Sequence, residues 1–218
     1  RNATQAVAGE QISMLGLLQK GGWIMYPLYL LFIVAVFVFV ERLLAIRKAS
    51  RIEPNFMKII RDNIVSGNVA AARNLAKNTD SPVARMIEKG LQRIGKPIDA
   101  IEKSMENVGK LEMYHMERNL NILSLIAGIA PTLGFIGTIS GVIKIFYSIS
   151  ISENVSIGNI SGGLYEKMIS SGSGLVVGIL AFTAYHLLNG LIDNYALAIQ
   201  KINLEFVKLI SSKDGHKA

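Results

Sequence analysis

The sequence predicts an all-α, polytopic membrane protein: three transmembrane helices, with long helices extending from them into a cytoplasmic helical bundle. Three observations lead there. Half of the 218 residues are hydrophobic and only 18% are charged, a balance shifted away from that of soluble domains. The apolar residues are clumped into three runs without an Asp, Glu, Lys or Arg, at 21–40, 119–143 and 168–192. Each run has about the 20 residues or more that a helix needs to cross roughly 30 Å of hydrocarbon. The segments between the runs carry apolar residues at helical rather than strand spacing. The alternative is a soluble protein with three buried core helices, but core segments seldom stay free of charge beyond about 14 residues.

Taken in order, residues 11–20 (Q-I-S-M-L-G-L-L-Q-K) are amphipathic and predict an interfacial helix within a periplasmic segment, 1–22. Trp23, Tyr26 and Tyr29 follow at the expected level of the lipid headgroups, and Pro27 falls in the first turns of transmembrane helix one, 23–46, where a missing N–H is tolerable. A signal peptide fits poorly, because the run is too long and no small-residue cleavage pattern precedes Glu41 and Arg42. Residues 47–118 predict a cytoplasmic helical domain. Its apolar positions are Phe56, Ile59, Ile60 and Ile64, then Val69, Ala72 and Leu75, punctuated by Gly67-Asn68, Asp80-Ser81-Pro82 and Gly95-Lys96-Pro97. From about Ile98 the series Ile101, Met105, Val108, Leu111, Met116 and Leu120 predicts a helix that runs without a breaker into transmembrane helix two, 119–147. A short periplasmic connection, 148–163, leads to transmembrane helix three, 164–192. Ile199, Ile202, Phe206 and Leu209 then continue a cytoplasmic helix to about Ser211, within a C-terminal segment 193–218.

The formal net charge of +7 is distributed as a membrane protein distributes it, not as a nucleic-acid binder does. Arg42, Arg47, Lys48, Arg51 and Lys58 follow the first run, Lys103, Lys110 and Arg118 precede the second, and 148–163 has no Lys or Arg. The positive-inside rule therefore places 41–118 and the C-terminus in the cytoplasm, with the N-terminus and the second connection outside; Lys20 opposes this. The absence of cysteine excludes disulfides, thiolate metal sites and a cysteine nucleophile. No phosphate-binding loop, zinc-protease, nucleophile-elbow or dinucleotide motif is present. Glu112-x-x-His115 is half of a di-iron motif without a second copy. The expectation is a non-enzyme with no catalytic residue, no metal and no cofactor. His186, Asn189 and Asp193 share one face at the end of the third span, as interhelical hydrogen-bonding groups.

Spans two and three carry the informative residues. Small residues Ala127, Ala130, Gly134, Gly137 or Thr138, and Gly141 share a face of the second; Ser170 or Ser171, Gly174, Gly178 and Ala181 do so in the third. Gly174-xxx-Gly178 is a small-xxx-small motif, and close helix packing is the expected role of these glycines. Thr138 and Ser171 fall at similar depth beside the seam. Each hydroxyl either bonds its own i−4 carbonyl or belongs to a polar track between the spans. Glu166, one turn from Ser171, is a carboxylate near membrane depth, the kind of group that serves a pathway or a pairing. Lys144 and Lys167 are its possible partners, or extend to the headgroups. Neither span has a carboxylate at mid-depth. Proton conduction would require a partner to bring one.

These residues resemble the ExbB/TolQ/MotA family of ion-driven motor subunits, most closely its ExbB branch. The likeness is carried by W-I-M-Y-P and V-E-R at the first span, A-P-T-L-G-F-I-G-T-I-S-G-V-I at the second, and G-L-Y-E-K-M-I-S-S-G-S-G-L-V-V-G-I at the third. The second run is the specific one, matching a family pattern A-P-x-L-G-L-L-G-T-V-x-G. The resemblance implies that Thr138, Ser171 (in place of a Thr) and Glu166 are polar pore residues. It implies a pentamer in the bacterial inner membrane whose second and third spans surround the transmembrane helices of ExbD, which supply an Asp. Proton flow would then drive TonB-dependent transport across the outer membrane. A TolQ-like motor for envelope integrity, division or gliding and a non-conducting scaffold are the alternatives. Lys144 and Lys167 depart from the apolar or small residues expected there, so they are candidate pore-mouth charges.

Overall fold

The computed structural model describes residues 21–50, 55–151 and 157–214. Every regular element among them is a helix: α1 (Met25–Ala49), α2 (Phe56–Val65), α3 (Val69–Asn78), α4 (Pro82–Leu91), α5 (Ile98–Glu117), α6 (Leu120–Ile151) and α7 (Ile157–Asp214). The interfacial helix expected over 11–20 lies outside the described residues. Three helical stretches are long and apolar enough to cross a membrane: α1, the stretch that ends with α6, and α7. Helix reaches into the expected connection from both sides, α6 to Ile151 and α7 from Ile157.

The chain divides into two compact units, and α1, α6 and α7 contribute to both. The first unit takes Ile122–Tyr185 together with the chain up to Val38. Its buried residues are few, including Leu28, Ala35, Ile126, Ala130 and Ala181, whereas Leu30, Phe37, Phe135, Ile143 and Met168 are exposed. Exposed apolar side chains on every helix of a unit mark a surface meant for lipid or for other membrane helices, not for water.

The second unit takes Phe39–Asn121 and the chain from His186 onward. Here the core is closed. Ile60, Ile64, Ala72, Ala76, Met86, Ile87, Ile101, Met105 and Phe206 are buried. α2 to α5 pack in series, and local chemistry sets their ends. Gly67 adopts φ +81° after α2. Asn68 caps α3 by accepting from Ala71 N at 3.1 Å, and Ser81 caps α4 by accepting from Ala84 N at 3.1 Å, with Pro82 in the first turn. Gly90 of α4 is a contact point, since a Cβ there would stand 2.5 Å from Met105 Sδ and 2.6 Å from Phe206 Cε1.

Two sequence expectations are corrected in this unit. The helix from Ile98 does not run unbroken into the second span: α5 ends at Glu117, and Asn119 takes φ +67° before α6 begins. Apart from glycine, Asn is among the residues that enter the left-handed region most readily, so the break costs little there. The buried stripe of α5 is also phased differently. Ile101, Met105, Gly109, Glu112 and Met116 are buried, while Leu111 is exposed.

Candidate functional site

The expected site residues lie on α6 and α7 of the first unit, which meet as an antiparallel seam with almost no side chain between the backbones. A Cβ added to Gly174 would stand 2.5 Å from Ala130 O and 3.1 Å from Gly134 Cα; one added to Gly134 would lie 3.0 Å from Ser170 O and from Ser171 Cα. At Gly178 it would collide with Pro131 and come within 3.2 Å of Ala127 O. At Gly137 it would stand 2.8 Å from Ile24 Cδ1 and 3.0 Å from Ser170 Oγ. Such proximity lets dispersion contacts accumulate without a hydrophobic driving force from lipid.

Hydroxyls sit in this seam. Thr138 Oγ1 donates to its own-turn carbonyl, Gly134 O, at 3.3 Å and across the seam to Lys167 O at 3.2 Å. Thr138 thus makes the i−4 bond, the first of its two sequence alternatives, and a bond across the seam besides. Ser170 Oγ donates to the same Lys167 O at 2.9 Å, and Ser170 is fully buried. Ser171 is half-buried, with its backbone against Gly134. Thr138 is level with Lys167 and Ser171 with Gly134, so the two hydroxyl residues stand about one helical turn, roughly 5–6 Å, apart along the seam.

Glu166 and Lys167 form an ion pair, Nζ to Oε1 2.7 Å. Of the two possible partners of Glu166, the structure selects Lys167; Lys144 is exposed and outside that pair. The Lys167 side chain lies over Gly141, where any Cβ would collide with it. Glu166 Oε1 comes close to Gly22, which has φ +74°. Sequence spacing placed Ser170 only among the packing residues and left the partner of Glu166 open, since neither a rotamer nor a cross-helix level is written in spacing.

A second polar centre, in the second unit, was not foreseen. Arg85 forks onto Glu112, Nε to Oε1 at 2.7 Å and Nη2 to Oε2 at 2.8 Å, while its Nη1 reaches Asp80 Oδ1 at 2.9 Å. Glu112 is 9% exposed, and its hydrogen bonds raise the Arg85 guanidinium further above its usual value. The carboxylate that looked like half of a metal motif is therefore held by arginine at both oxygens. The signal was present in the chain: Glu112 follows Ile101 and Met105 on a buried helix face, a position where an unpaired carboxylate would be costly.

A protein-family comparison matches residues 78–201, more than half of the chain, to the MotA/TolQ/ExbB proton channel family. The chain belongs to that family. Among curated proteins, this family member is similar to a protein of Methanothermobacter thermautotrophicus described as a biopolymer transport protein ExbB homolog, 26% identical across 93% of this chain and 79% of that one. It is similar to an ExbB-like biopolymer transport protein of Synechocystis, 27% identical across 73% of this chain and 77% of the other. The biopolymer transport protein ExbB of Salmonella typhimurium is 25% identical across 52% of this chain and 45% of its own length. MotA/TolQ/ExbB proteins are proton channels, and this one is a multi-pass membrane member.

Proposed function

We propose that this chain is the proton-conducting subunit of an inner-membrane motor that uses proton-motive force to energise TonB-dependent transport across the outer membrane. In this reading it forms a homo-oligomer, a pentamer, around the transmembrane helices of an ExbD-like partner, with its N-terminus periplasmic and its C-terminus cytoplasmic. The observation that carries the reading is the set of hydroxyl residues Thr138, Ser170 and Ser171 along the α6–α7 seam next to the Glu166–Lys167 ion pair, in a member of a proton-channel family. Thr138 uses its hydrogen as a donor, and its oxygen lone pairs remain able to accept from water. Glu166 supplies an acid–base group at one end of the track. A carboxylate at mid-depth must come from the partner, because α6 and residues 168–192 contain none.

The double variant Thr138→Val, Ser171→Ala tests this. It removes two hydroxyls with little change in volume, so the complex should assemble at normal levels. Proton flux in liposomes and TonB-dependent uptake in cells should fall by about tenfold or more, as roughly 1.4 kcal/mol on the limiting barrier produces. Undiminished flux in the assembled variant would remove Thr138 and Ser171 from the pathway.

A further inference from the structure

We propose that Lys167 is a tethered counter-ion that sets ion selectivity, keeping metal cations off Glu166 while leaving that carboxylate open to protons. The inference rests on the reading of Glu166 as a pathway group. Its basis is how firmly the ammonium is held. Nζ lies 2.7 Å from Glu166 Oε1, and the lysine side chain is 20% exposed against 40% for the glutamate. Its stem runs over Gly141 of α6, where any side chain would collide with it, and Nζ would be 3.3 Å from a Cβ on Gly22. Two glycines from other segments thus leave the space that the lysine fills, whereas a lysine reaching freely for headgroups would need no such niche.

The consequence is chemical. Sodium crossing at this level must give up part of its water and take carboxylate oxygens in exchange, and Oε1 is already occupied by a cation of equal charge. A proton crosses by rearrangement of O–H bonds and needs one lone pair; Oε2 is not the atom bonded to Lys167. Lys167 therefore occupies one of the two oxygens that a sodium ion would coordinate and leaves the second, Oε2, outside the lysine hydrogen bond.

The test uses liposomes holding the full complex of this chain with its partner subunit. Lys167→Met and Lys167→Gln remove the charge, and Lys167→Arg retains it. Sodium-22 uptake and proton flux are measured separately. Wild type and Lys167→Arg should conduct protons and exclude sodium, while the neutral variants should raise sodium uptake about tenfold or more over wild type, the change that roughly 1.4 kcal/mol of binding free energy produces. Assembled neutral variants that still exclude sodium while conducting protons would reduce Lys167 to a structural clasp and overturn the inference, leaving the pathway reading intact. Should neither neutral variant assemble, sodium uptake by the wild-type complex decides: uptake comparable with its proton flux overturns the inference, and exclusion that Lys167→Arg preserves supports it. A wild-type complex that passes no protons would instead refute the pathway reading itself.

Discussion

At the residue scale, Arg85 shows how a buried charge is tolerated in this protein. Glu112 occupies a core-facing position of α5, and the guanidinium satisfies both of its oxygens in one fork while Asp80 takes the remaining arm. Removing one partner should therefore be worse than removing both. Glu112→Ala and Arg85→Ala should each destabilise by about 2–3 kcal/mol, somewhat below the range for fully buried pairs because Arg85 is 44% exposed. The double variant should cost less than the sum of the two, and a thermal double-mutant cycle in detergent measures the difference. Additive losses would mean that the pair is not coupled. Lys167 and Glu166 follow the same logic in the other unit, with glycines rather than a second carboxylate completing the niche.

At the scale of elements, α7 is a helix of 58 residues whose two ends face different demands. Near Gly174 it must lie backbone to backbone with α6; near Phe206 it fills a closed core. The seam can be tested by contrasting two glycines of one turn. Gly174→Ala places a methyl 2.5 Å from Ala130 O, with no flexible side chain to yield, and should destabilise by about 1–3 kcal/mol. Gly172→Ala meets nothing within 4 Å and should be neutral or should stabilise by up to about 1 kcal/mol through helix propensity. Thermal aggregation of the two variants in the same detergent separates them, and equal effects would show that α6 and α7 are less closely packed than described. The break at Asn119 belongs to this scale as well. It lets α5 keep a core phase of Ile101, Met105, Gly109, Glu112 and Met116 without imposing that phase on α6.

At the scale of the whole molecule, one unit has a closed core and the other exposes apolar side chains on all its helices, the division expected when lipid and partner helices complete the second surface. The proposed orientation can be tested directly, because the chain has no cysteine. Ser148 and Ser212 are exposed, and among the described residues their hydroxyls bond carbonyls of their own helices, Lys144 O and Leu209 O, so each can be replaced without disturbing the fold. In intact cells a membrane-impermeant maleimide should label Ser148→Cys from the periplasm. Ser212→Cys should react only after the inner membrane is permeabilised. The reverse pattern would invert the topology and place Glu166 at the cytoplasmic end.

What the sequence determined by itself was everything governed by local rules. Charge-free length marked the three spans, Gly67-Asn68 and Ser81-Pro82 marked helix ends through φ and capping, and steps of three and four marked the small-residue faces of α6 and α7. The tertiary structure alone decided which polar groups meet. That Arg85 claims Glu112 and that Ser170 rather than Ser171 is fully buried depend on how separate helices are levelled and rotated against one another, and the pairing of Glu166 with its neighbour Lys167 is accompanied by the space that Gly22 and Gly141 leave for the lysine. Periodicity fixes a face only to within about one residue of phase, and that residue separates Leu111 from Glu112 on α5. Hydrogen bonds, including those within ion pairs, weaken steeply away from their preferred length and angle, so their partners are chosen only when the backbones are in place.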